Sequence, residues 1–227
     1  MIKKIKEIKW LIFYLPKLYK KYKNKTDANL FFVLKNFIFF KLFYSKHIIA
    51  HRKVLITGLD NIRLNGSLEV GVNSFGICHN SDYTVLNIKG KIMFTGSHYS
   101  IGRGCRFDIG ENAIVTFGEG GHVTGFSNFM ISNKLIIGDN CAISWGCQFL
   151  DDDHQKIFYK GKQEKENEII IGNQVWIGSG VQIYKGTNIA NGCVIAANSV
   201  VRGIFSEPNS LIGGNPAKLI KREITWK

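Results

Sequence analysis

The 227-residue chain predicts an all-β solenoid with a helical N-terminal extension. Three observations carry this. Aliphatic residues recur every six positions, as Ile171, Ile177, Ile183, Ile189, Ile195 and Val201, with Ile137, Ile143 and Phe149 as an earlier run. All 24 glycines lie after residue 53. Residues 1–53 hold 14 Lys+Arg against 2 Asp+Glu and the remainder 16 against 15, so the first segment carries +12 of the formal +13. With 45% hydrophobic residues the chain is neither disordered nor collagen-like.

Residues 1–53 read as a basic helical segment. Ile5, Ile8, Ile12, Leu15, Tyr19 and Tyr22 follow helical steps between lysines, and Pro16 is expected to kink or restart the helix. Leu30, Phe31, Val33, Leu34, Phe37, Phe40 and Phe43 form a second apolar run, with Asp27 placed to cap it. Two readings stand: these helices lie on an anionic membrane surface, or their apolar faces pack on the main domain or a neighbouring subunit. Nucleic acid is not expected, because Leu, Ile and Phe occupy packing positions where arginines and exposed aromatics would be needed. Lysines interrupt every candidate membrane span and no small-residue cleavage site follows, so neither spanning nor secretion is expected.

Residues 54–213 read as the solenoid. Six is a multiple of the strand period and not of the helical 3.6, so the anchors belong to short strands separated by tight turns at Gly138-Asp139-Asn140, Gly172-Asn173 and Asn191-Gly192. Three hexads complete a triangular coil, and coils stack by parallel pairing about 4.8 Å apart. Leu68, Val70, Val72, Ile88, Ile92 and Phe94 read as strands of looser coils, and Ile109 sits two residues out of register with Ile101. Cys105, Cys141, Cys147 and Cys193 fall four places after an anchor, an inward position for small residues. Five cysteines with no CxxC pair suit a reduced, cytoplasmic setting, neither a disulfide framework nor a zinc ribbon.

Ile169 to Gly178, with its Val175-Trp176-Ile177-Gly178 turn, then Ile195-Ala196-Ala197-Asn198-Ser199 and Gly213-Gly214-Asn215-Pro216-Ala217-Lys218, resemble the hexapeptide-repeat acyltransferases. Within them the chain resembles the branch of galactoside, maltose, serine and polysaccharide O-acetyltransferases, most clearly over residues 137–221. The resemblance implies a left-handed parallel β-helix, a short C-terminal helix or tail over 214–227, a homotrimer, and acetyl-CoA as acyl donor in the groove between adjacent prisms, with no metal. It places Trp176, Gly178, Ser179 and Ala197 along the cofactor's arm, and Arg202, Lys218 and Lys221 at its phosphates. Arg202-Gly203 departs from the Thr-Lys that relatives often carry there.

From Phe149 to Ile171 is 22 residues, not a multiple of six, and the polar segment between them is an extruded loop over 150–168. It opens on Asp151-Asp152-Asp153-His154. Acyl transfer to a hydroxyl needs a base, and histidine has the suitable pKa; a carboxylate can orient it. The resemblance puts His154 and Asp152 on the family's catalytic motif, with Asp151 and Asp153 as lesser helpers. The plain alternative is an Asp-rich turn at the base of a surface loop. His79, His98 and His122 rank below His154.

The expected activity is therefore O-acetylation of a sugar hydroxyl in capsule, lipopolysaccharide or exopolysaccharide biosynthesis, at or near the inner membrane face. Alternatives are a xenobiotic acceptor, amino-sugar N-acetylation, and a non-catalytic membrane scaffold. A zinc carbonic anhydrase of this fold is not expected, because its His-x4-His pair is missing.

Overall fold

The computed structural model describes the backbone at all positions except 1, 24–28, 74–75, 156–157, 159 and 161–166, and the side chains at these positions except 2–11. From Ile48 to Gly214 the chain winds as a parallel β-helix with three faces. The first face stacks Ile48–Ala50, Ser67–Val70, His98–Ile101, His122–Val123, Ala142–Ile143, Trp176–Ile177, Val194–Ile195 and Leu211–Gly214. The second stacks Val54–Thr57, Thr84–Ile88, Arg106–Ile109, Asn128–Ile131, Gln148–Leu150, Gln182–Tyr184 and Val200–Val201. The third stacks Ile62–Leu64, Lys91–Phe94, Ile114–Phe117, Lys134–Ile137, Ile169–Ile171, Asn188–Ile189 and Ile204–Phe205. The prism begins at Ile48, which pairs with Leu68, six residues before the start expected from composition. The basic charge of the first segment and the start of strand pairing are separate properties, and the charge shift lies inside the first coil.

Coil length changes along the axis. Ile101 pairs with Val123, 22 residues on, Val123 with Ile143, 20 on, and Ile177 with Ile195, 18 on. The longer coils contain dipeptide extensions: Ile109 follows Phe107, Phe117 follows Val115, and Ile131 follows Phe129, all buried. Because side chains alternate with a period of two, each extension adds one inward residue without inverting the strand. This explains the offset of Ile109. The wider coils hold an aromatic ladder: Phe107, Phe129 and Phe149 stack at 4.3 and 4.5 Å, and Phe94 stacks on Phe117 at 5.2 Å.

Cys105, Cys141, Cys147 and Cys193 face inward as expected. Burial pushes the Cys105 thiol up to about 12 and those of Cys141 and Cys147 up to about 11, which suppresses the nucleophilic thiolate. Cys78 is half-buried in the excursion between Val70 and Thr84. The buried Arg103 secures that excursion by donating from Nε to Gly71 O and from Nη1 to Asn80 Oδ1.

Two helices cap the N-terminal end. Helix α1 (Ile2–Tyr22) runs through Pro16 without a break, so the chain does not restart there. Among its described side chains Leu18 and Tyr22 are buried, whereas Ile12 and Tyr19 of the expected apolar face are exposed. Helix α2 (Leu30–Tyr44) starts after Asn29, which makes no side-chain cap; Asp27 lies outside the described residues. Val33, Phe37, Leu18 and Tyr22 cluster with Ile49 and Val72, and Phe40 joins the prism core. The helices thus cover the open end of the first coil, where unpaired strand edges would otherwise meet water. Among the described residues no helix is long and apolar enough to cross a membrane.

The C-terminus departs from expectation. Ala217–Lys221 is a strand, not a helix, and pairs antiparallel with Leu211–Gly214 at the end of the first face. Gly214 at φ 107° and Pro216 turn the chain back. Ala217 and Leu219 are half-buried whereas Lys218 and Ile220 are exposed, the period-two pattern of a strand.

Candidate active site

Each coil has three corners. Gly178-Ser179-Gly180 and Ala196-Ala197-Asn198 stack at the corner between the first and second faces. The extruded loop, Lys185-Gly186-Thr187 and Arg202-Gly203 stack at the corner between the second and third.

The three aspartates have separate tasks. Asp151 is buried and accepts three backbone N–H groups of the preceding coil: Ser132 at 2.7 Å on Oδ1, and Asn133 and Lys134 at 2.7 and 2.8 Å on Oδ2. Burial pushes its carboxyl above the ordinary range, and these three donors oppose the shift. Asp152 Oδ1 accepts the backbone N–H of His154 at 2.8 Å. Asp153 pairs with Lys185 of the following coil at 2.7 Å. At the far end of the loop, Glu168 pairs with Lys134 at 3.0 Å. Both ends of the loop are therefore fastened to neighbouring coils, and His154 is left exposed between them.

His154 has φ 55°, in the left-handed region that non-glycine residues seldom adopt. The Asp152 carboxylate closes an Asx turn that stabilises this conformation. Asp152 thereby sets the backbone from which the imidazole projects.

At the first corner, Trp176 is exposed, donates from Nε1 to Ser144 Oγ at 3.2 Å, and lies 6.2 Å from the ring of Trp226. Trp226 in turn donates to Gln174 O at 2.9 Å. Gly178 is buried, and a Cβ there would come within 2.7 Å of Ala197 N and 2.8 Å of Ile195 O, so only glycine permits this spacing of coils. Ser179 is half-buried and Ala197 exposed, both small residues at this corner. Lys218 and Lys221 are exposed on the terminal strand.

One chain does not bring all these residues together. Gly178, Ser179 and Ala197, with Trp176 at the adjoining end of the first face, lie at one edge of the second face, and Asp152, His154 and Arg202 at the other, on the order of 15 Å away at about 3.3 Å per strand residue. Below the loop, Arg202 and Lys185 line a cleft of about 790 Å³ with Glu168, Ile170, Asn188 and Ile204.

His98, His79 and His47 have local partners, and His122 lies on the first face, away from the loop. His98 Nδ1 lies 2.9 Å from Ser67 Oγ, His79 Nδ1 lies 2.7 Å from Ser81 Oγ, and His47 sits between the rings of Tyr14 and Phe37. Among the described residues no cluster of His, Cys, Asp and Glu is arranged to hold a metal ion. Sequence reasoning missed Lys185, the Ser132–Lys134 donors and Trp226, which meet the site only through coil stacking.

Residues 168–203 match the family model described as bacterial transferase hexapeptide (six repeats). A Klebsiella pneumoniae protein described as "Uncharacterized 24.8 kDa protein in cps region" is 35% identical over 206 residues, covering 90% of this chain and 92% of the relative. An Escherichia coli K12 protein described as "Putative lipopolysaccharide biosynthesis O-acetyl transferase WbbJ" is 31% identical over 144 residues, covering 59% of this chain and 72% of the relative. The chain belongs to the hexapeptide-repeat acyltransferases. Its solenoid is the left-handed parallel β-helix of that family, and its activity is acetyl transfer. Among solved structures, the polysialic-acid-specific acetyltransferase NeuO aligns at TM-score 0.39 and 20% identity, covering 80% of this chain and 79% of that one. This hexapeptide-repeat acyltransferase thus carries the family's repeat model directly below the loop that presents His154.

Proposed function

We propose that this acetyltransferase transfers the acetyl group of acetyl-CoA to a sugar hydroxyl of a cell-surface polysaccharide precursor, with His154 as general base. The observation that carries the reading is the presentation of His154: exposed, held by Asp152, on a loop fastened to the coils above and below. In the reaction the imidazole takes the hydroxyl proton as the sugar oxygen attacks the thioester carbonyl. The carbon–sulfur bond then breaks, and the protonated imidazole returns the proton to the departing thiolate. No acyl-enzyme is needed, and the buried cysteines are not suited to form one. Backbone N–H groups around Ser179 and Ala197 are the candidates for stabilising the oxyanion.

The donor's phosphates suit Arg202 and Lys185 in the cleft, with Lys218 and Lys221 as further cations, and its narrow arm suits the small side chains of Ser179 and Ala197. The distance between the two edges supports a closed trimer in which one chain's Trp176 corner meets the His154 corner of its neighbour. The polysaccharide acceptor rests on the description of the Escherichia coli relative as a lipopolysaccharide biosynthesis O-acetyl transferase, with the Klebsiella relative described as lying in a cps region. We place the reaction in the cytoplasm, where five thiols stay reduced.

The test is transfer of labelled acetyl groups from acetyl-CoA to nucleotide-linked and lipid-linked sugars by wild type and His154→Ala. The variant is expected to lose about 10²–10⁴-fold in kcat with unchanged solution mass. Wild-type turnover in that variant removes His154 from the mechanism.

A further inference from the structure

The prism covers only one side of α2. Val33, Phe37 and Phe40 face the cores, whereas Phe31, Lys35, Phe39 and Phe43, spaced four apart along one stripe, point away. Phe31 is 67% and Phe43 73% exposed, and the ring of Phe39 lies 5.2 Å from that of Phe43 and 5.7 Å from that of Tyr44, an apolar patch at the C-terminal end of the stripe. A helix that is apolar nearly all round is ordinarily buried on every side. On α1, Ile12 and Phe13 are also exposed, and Lys17 Nζ lies 4.0 Å from the centre of the Phe13 ring. Lys20, Lys23 and Lys35 are exposed around these aromatics.

We propose that this helical cap docks on an anionic lipid surface, with the phenylalanine stripe of α2 entering the headgroup boundary and the lysines meeting the lipid charges. Charge complementarity selects this occupant. A second copy would bring two strongly cationic segments face to face, whereas an anionic bilayer offers both an apolar interior and opposite charge. A trimer of parallel prisms would present three caps at one end and multiply the attachment. The proposal does not depend on the role of His154.

The test is co-sedimentation of the full chain with vesicles of phosphatidylcholine alone and of phosphatidylcholine mixed with phosphatidylglycerol, at low and high salt. At least tenfold stronger binding to the anionic vesicles is expected, weakened by salt. Phe31→Ser with Phe39→Ser and Phe43→Ser should lose at least tenfold, and so should Lys17→Glu with Lys20→Glu and Lys35→Glu, both with wild-type melting behaviour and acetyl-CoA affinity. Equal binding to the two vesicle types overturns the proposal, as does undiminished binding of the triple-serine variant. A fall in that variant's solution mass also overturns it, because the stripe would then be a subunit contact.

Discussion

Asp152 and His154 are joined through the backbone: the carboxylate accepts the N–H of His154 at 2.8 Å, and His154 adopts φ 55°. An asparagine can make the same turn and an alanine cannot. Asp152→Asn is therefore expected to keep kcat within about threefold of wild type, while Asp152→Ala loses on the order of tenfold or more as His154 leaves its conformation. Steady-state kinetics of the pair checks this; equal losses would mean that the Asp152 charge acts on the imidazole.

Asp151→Asn should destabilise the chain by about 2–4 kcal/mol. An amide offers one acceptor oxygen where three N–H groups now converge, so at least one buried donor loses its partner. Urea unfolding reads the change, and a difference under about 0.5 kcal/mol would show that the loop base tolerates the loss.

A double-mutant cycle on Lys185→Ala and Asp153→Ala should give a coupling of less than about 1 kcal/mol, because Asp153 is half exposed. The informative readout is KM for acetyl-CoA, expected to rise in Lys185→Ala but not in Asp153→Ala.

Phe129 lies between Phe107 and Phe149 in the aromatic ladder, fully enclosed. Phe129→Ala is expected to cost about 3–5 kcal/mol and Phe129→Leu about 1–2, measured by thermal or chemical unfolding.

Acid should loosen the cap before the prism. Burial, with help from Lys41 and His98, lowers His47 to about 4 from 6.5, so its neutral form is favoured in the folded cap. Burial alone would raise the Glu69 carboxyl, but Lys21, Tyr22 and Asn73 hold it below the ordinary carboxylate range. Both folded values are depressed, so both contributions are complete above the unfolded values and are lost as pH falls through the folded ones. For His47 the window runs from about pH 6.5 down to about 4. Hydrogen exchange of α1 and α2 against pH should show loss of protection there, and His47→Phe should remove the upper part of the window.

The solenoid is legible in the sequence where its hexads are uniform, from Ile137 to Val201, because a six-residue period matches no helix. It blurs upstream where dipeptides lengthen the hexads at Ile109, Phe117 and Ile131. His154 is legible as the histidine in the polar interruption of the lattice. The division of labour among Asp151, Asp152 and Asp153 is not, since their partners at Ser132–Lys134 and Lys185 come from coils above and below and carry no motif. The terminal strand was hidden by its two lysines, and the buried face of α1 by alternative apolar positions that only tertiary packing distinguishes.

The dipeptide extensions also say how such a chain tolerates change in length. Two residues added within a strand widen one coil and leave every other side chain facing as before; one residue inverts all that follow until the next corner. Insertions and deletions accepted during descent should therefore be even-numbered inside the faces and unrestricted only at the corners. The circumference of this prism has been adjusted in steps of two, and the loop bearing His154 occupies a corner where length was never so constrained.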